Sequence, residues 1–95
     1  MFAPAYCILE TEDGNRYEDP SQDHIFDKVA ELAWPDNTFL TIEGTESDWY
    51  VVVSLLEEGA FEAEYKNPQR REHRIESGGT PSTISYDVTL WIAGI

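Results

Sequence analysis

Apolar positions along this chain recur with two different periods, and the switches between them mark its elements. Tyr6 to Thr11 is apolar and β-prone, and Glu12, Asp13, Gly14 and Asn15 supply turn chemistry before Arg16 and Tyr17; this reads as an opening β-hairpin. Asp19, Pro20, Ser21 and Gln22 then place a capping acid before a proline at the first helical position, with Gln22 closing a capping box. Ile25, Val29 and Leu32, joined by Phe26, Ala30 and Ala33, recur at the three and four spacing of one buried stripe, while Asp23, Asp27, Lys28 and Glu31 lie elsewhere on the cylinder. The pattern predicts a helix over residues 21–33, ended where Pro35 pushes Trp34 out of the helical region.

Beyond the helix the period drops to two. Thr38 to Glu43 alternates, and Gly44 to Asp48 is turn-like before Trp49 to Leu56, whose two faces are both apolar. A strand apolar on both sides belongs in the middle of a sheet. Glu57, Glu58 and Gly59 turn into Ala60 to Tyr65, and Asn67 with Pro68 turns into Arg70 to Glu76, so an antiparallel meander is the simplest topology. One register for the last hairpin sets Phe61 opposite Ile75 and Glu62 opposite Arg74. The closing segment, residues 81–93, fits strand and helix periods alike, but Thr80 and Pro81 resemble a helix start and Gly94 a helix end. The expected fold class is α+β, an antiparallel sheet of about five strands with one or two helices packed on one face, in a single domain over residues 1–95.

Composition narrows the function. A chain of 95 residues, 41% hydrophobic and with 12 aromatic side chains, has the length for one domain and the apolar surface for a compact core. Nineteen acidic against six basic side chains give a net charge of -13, which repels nucleic-acid phosphate and anionic lipid. Direct nucleic-acid or membrane binding is therefore not expected. The charge is regional: residues 1–64 carry 16 acidic and 2 basic side chains, whereas residues 65–76 hold Lys66, Arg70, Arg71 and Arg74 against Glu72 and Glu76. A single cysteine excludes an internal disulfide and a cysteine-based zinc site. With no signal peptide and no apolar run of transmembrane length, a cytoplasmic location is the default expectation.

No constellation for catalysis emerges. His24 falls in the first turn of the predicted helix and His73 on a charged strand, without a nucleophile or orienting partner, and Cys7 sits among Tyr6, Ile8 and Leu9 as a structural thiol would. The acidic turn near Gly14 fails as a calcium loop, because aligning that glycine with the EF-hand position puts Leu9 first and Pro20 last. Gly78 and Gly79 lack the spacing and the lysine of a phosphate loop. No catalytic residue, no metal and no cofactor is expected, and the Arg70 to Arg74 stretch reads better as cross-strand ion pairs than as an RNA patch. Carboxylates beside aromatics make a different kind of site. Glu43, Glu46, Asp48, Trp49, Tyr50, Glu57 and Glu58 have the composition of a protein-binding hot spot with an acidic rim, although Trp49 reads equally as core.

The order of segments also carries a resemblance: the opening hairpin, Glu18-Asp19-Pro20-Ser21, Asn37-Thr38-Phe39-Leu40-Thr41-Ile42-Glu43, Asp48-Trp49-Tyr50, Phe61-Glu62-Ala63-Glu64-Tyr65 and Trp91-Ile92-Ala93-Gly94. As a pattern over residues 6–94 the chain resembles the small acidic immunity proteins of bacterial polymorphic toxin systems, especially the first-described family paired with deaminase and nuclease toxins. The resemblance implies a non-enzymatic cytoplasmic protein, monomer or weak dimer, that binds a cognate protein toxin or other cationic enzyme and blocks its active site. It also implies a closing helix with an aromatic residue before its glycine, which Trp91 and Gly94 match; the basic Arg70 to Arg74 stretch departs from the pattern. The same acidity would serve the alternative, a phage-encoded DNA mimic that occupies a host defence nuclease or CRISPR complex.

Overall fold

A computed structural model describes residues 5–95. It is an α+β fold. The opening hairpin pairs β1 (Cys7–Thr11) with the three-residue β2 (Arg16–Glu18), and α1 (Gln22–Ala30) follows. The meander then runs through β3 (Phe39–Gly44), β4 (Tyr50–Leu55), β5 (Phe61–Asn67) and β6 (Glu72–Ser77) before α2 (Pro81–Ala93). All six strands form one antiparallel sheet in the order β2-β1-β3-β4-β5-β6, slightly more than the about five expected. β4 is internal, as its two apolar faces require.

Both helices cover the same face. Leu9, Leu40, Ile42, Val51, Val53, Ala63 and Tyr65 meet Ile25, Val29 and Leu32 from α1 and its exit, and Ile84 and Val88 from α2, in one buried core. The caps explain where the helices begin. Thr80 and Thr83 form a reciprocal capping box with Pro81 at the first position, so the closing segment is a helix. In α1 the predicted cap is displaced: Ser21, not Asp19, accepts from the His24 N–H at 3.1 Å. The Asp19 carboxylate instead accepts from the backbone N–H groups of Tyr6 (2.8 Å) and Cys7 (3.0 Å), with φ of 46°. The helix is also shorter than residues 21–33, with Glu31 as C-cap, and Ala33 and Asn37 pair beyond it.

The last hairpin departs from its expected register. Glu64 opposes Ile75 and Tyr65 opposes Arg74, while Glu62 meets Ser77. A short 3-10 turn over Pro68–Arg70 and a left-handed Arg71 at φ 53° set the loop length, shifting the pairing by three residues from the Phe61–Ile75 register.

Candidate protein-binding surface

With both helices on one side, the other side of the sheet is left uncovered. Alternation along each strand decides which side chains it presents. The paired rows read Glu18, Ile8, Glu43, Tyr50, Lys66, His73 and, beside it, Arg16, Glu10, Thr41, Val52, Glu64, Ile75. A third, shorter row holds Phe39, Ser54, Glu62 and Ser77. Isoleucine, valine, tyrosine and phenylalanine thus run among five carboxylates, with Arg16, Lys66 and His73 interspersed. Glu10 pairs with Arg16 at 3.1 Å and Glu64 with His73 at 2.6 Å, whereas Glu18, Glu43 and Glu62 have no ion-pair partner among the described residues.

Two shallow depressions lie at one end of this face. One, about 300 Å³, lies between Ile8, Glu10, Thr41 and Glu43; the next, about 280 Å³, runs from Glu43 over Gly44 to Asp48 and Tyr50. Glu43 stands on the rim of both. Of the sequence-predicted residues, the structure therefore brings together Glu43, Asp48 and Tyr50, with Glu46 in the same turn lining a neighbouring hollow beside Tyr6.

Trp49 does not serve as an exposed anchor. It is 2% exposed and turns to the helical face, where its ring lies 5.8 Å from Trp91 and 5.9 Å from Tyr6. Its indole occupies the space above Gly44, where a β-carbon would come within 2.5 Å of Nε1. Trp91 continues the aromatic row to Tyr65 at 5.3 Å and donates its Nε1–H to Glu72 at 3.0 Å. Trp49 is core, and Tyr50 lies half-buried on the uncovered face.

Glu57 and Glu58 lie apart from that group. Successive turns of a meander fall at opposite ends of the sheet, and the length of β4, roughly 17 Å at about 3.3 Å per residue, separates them from Asp48. At their end the exposed Trp34 donates to the Leu55 carbonyl at 2.9 Å, and Glu12 accepts from both the N–H (2.7 Å) and the hydroxyl (2.9 Å) of Thr38. Ile8, Glu10, Glu18, Val52, Glu62 and Glu64 share this face although nothing singles them out in the sequence; the outward half of each strand's alternation is the available signal, needing only the strand order to assemble it into a face.

The remaining chemical groups are occupied structurally. Burial, reinforced by the Asp19 carboxylate, pushes the Cys7 thiol from 9.0 to about 11, the opposite of an activated nucleophile. Burial first, then Glu76 and Asp87, pushes the Tyr65 hydroxyl up to about 12, with the Arg74 guanidinium 4.8 Å above its ring opposing them. His24 packs edge-on against Tyr17 at 4.6 Å. Among the described residues no cluster of three or more potential metal ligands exists, and no helix is long and apolar enough to cross a membrane. Compared with protein-family models, curated proteins and solved structures, the chain matches none.

Proposed function

We propose that this protein is a non-enzymatic inhibitor of the immunity type, which binds a cationic, nucleic-acid-targeting toxin through the uncovered face of its sheet and occludes the toxin's active site. The observation that carries this reading is the face itself: Ile8, Tyr50 and Val52 are presented next to Glu18, Glu43 and Glu62, three carboxylates without an ion-pair partner among the described residues. A nucleic-acid enzyme holds its substrate in a cationic cleft, and an acidic sheet face with an aromatic on its internal strand matches such a cleft in charge and supplies a desolvated contact. The net charge of -13 steers the encounter, and Tyr50 slows the separation.

The test is co-expression. A candidate nucleic-acid-targeting toxin, sought among the neighbouring genes, is produced with and without this chain, and nucleic-acid damage and cell survival are measured. Survival restored by the wild-type chain and lost with Glu43→Lys/Tyr50→Ala supports the reading. Survival restored equally by both chains removes this face from the function. Inhibition of a defence nuclease with no effect on the neighbouring enzyme would favour the DNA-mimic alternative.

A further inference from the structure

We propose that β6 pairs with β6 of a second copy of this chain, antiparallel and centred on Ile75, joining two sheets edge to edge. The inference is independent of the toxin-binding reading. β6 is the last strand of the sheet and spans six residues without proline or bulge, so its outer edge offers a continuous template.

The backbone restricts the possible registers. Residues of an antiparallel ladder alternate between pairs that exchange hydrogen bonds and pairs that do not. Gly78 donates its N–H to the Phe61 carbonyl at 2.8 Å, and the register continues through Ala63–Glu76, Tyr65–Arg74 and Asn67–Glu72. By alternation Glu72, Arg74 and Glu76 direct their backbone groups to β5, and His73, Ile75 and Ser77 direct theirs outward. A second β6 can use those groups only where odd-numbered residues meet odd-numbered residues.

Charge and conformation choose among the registers that remain. Centring on Arg74 sets it against its own counterpart and Glu72 against Glu76, while centring on Glu76 opposes two carboxylates. Centring on His73 or Ser77 opposes Ile75 to Arg71 or Gly79, which sit at φ 53° and 88°, outside extended backbone. Centred on Ile75, the ladder places Arg74 opposite Glu76 of the second copy, twice by symmetry, His73 opposite Ser77, and Ile75 against itself. A two-fold axis normal to the sheet keeps both α2 helices on one side, flanking the seam.

Two further observations fit a second copy. Of seven exposed large hydrophobics among the described residues, Ile75 lies on this strand, and Tyr86 and Leu90 stand one turn apart on α2; Leu90 lines the groove of about 400 Å³ with Arg74 and Glu76. β6 holds Glu72 and Glu76 against Arg74, and the turn that leads into it adds Arg70 and Arg71, so two strongly acidic chains meet where each repels least.

Sedimentation of the full chain up to millimolar concentration, with folding verified by circular dichroism, is the test. The expected result is a dimer of twice 10.8 kDa, weakened roughly tenfold by either Arg74→Glu or Glu76→Arg and restored by mixing those two variants or combining them in one chain. Ile75→Cys should close an intermolecular disulfide with oxidised glutathione, which is reduced to two thiols, and His73→Cys should not. A chain that stays monomeric throughout, or a dimer indifferent to both charge reversals, overturns the proposal.

Discussion

Glu43 and Tyr50 oppose each other across the β3–β4 ladder on the uncovered side of the sheet, while Trp49, one residue before Tyr50, packs on the covered side against Trp91. A shift of one residue along the chain thus separates a buried core residue from one presented on the uncovered face.

That separation is measurable by urea denaturation. Trp49→Ala empties a site enclosed by Tyr6, Trp91 and the backbone of Gly44, and should cost about 3–5 kcal/mol, as large aromatic truncations in cores do. Tyr50→Ala, on the half-buried outer face, should cost about 1 kcal/mol, nearer the range of surface substitutions. A larger loss from Tyr50→Ala than from Trp49→Ala would mean that Tyr50, not Trp49, faces the helices.

Gly44→Ala provides an independent check on the same packing. Its new β-carbon would fall 2.5 Å from Nε1 and 2.7 Å from Cε2 of Trp49, an overlap that should destabilise by about 1–3 kcal/mol. Because the clash is with the indole alone among the nearest atoms, the penalty should shrink in a Trp49→Ala background. A double-mutant cycle with no coupling would place the strain elsewhere.

Much of this architecture is legible along the chain, and the exceptions have physical causes. The apolar faces of β4 mark it as internal, and Thr80 with Pro81 marks the start of α2, because each signal is local. The same two-sided apolarity hides the orientation of Trp49, since alternation separates two faces without saying which one the helices cover. The β5–β6 register depends on a loop in which Pro68–Arg70 form a helical turn and Arg71 takes a left-handed conformation, and residue types alone do not set that length. Asp19 looks like a helix cap, yet its carboxylate is taken by Tyr6 and Cys7, more than ten residues away in the chain. Glu57 and Glu58 resemble the Glu46 and Asp48 turn in composition, but the meander sends the two turns to opposite ends.

Alkaline pH should destabilise the protein for a defined reason. In the folded state burial raises the Cys7 thiol from 9.0 to about 11 and the Tyr65 hydroxyl from 10.0 to about 12, while in the unfolded chain both ionise at their ordinary values. Between those limits the unfolded state has lost a proton that the folded state retains, so stability falls as pH rises, by up to about 1.4 kcal/mol per pH unit for each group. Neither group contributes a pH dependence below about pH 8. Cys7→Ala should flatten the first part of the decline, from pH 9 to 11, and denaturation curves collected across that range check it; an unchanged slope in the variant would assign the loss to other groups.

Binding of a cationic enzyme to the uncovered sheet face, as proposed, is tested by association and dissociation rates for that enzyme with charge and ring altered separately. Glu43→Lys should slow association and weaken its dependence on salt, whereas Tyr50→Ala should chiefly speed dissociation, with a loss of about 2 kcal/mol or more, roughly thirtyfold in affinity. Glu57→Lys/Glu58→Lys, at the far end of β4, should leave the dissociation rate unchanged. Wild-type rates in the Glu43 and Tyr50 variants, together with rapid dissociation in the Glu57/Glu58 variant, would rule out this surface and move binding to the opposite end of the sheet.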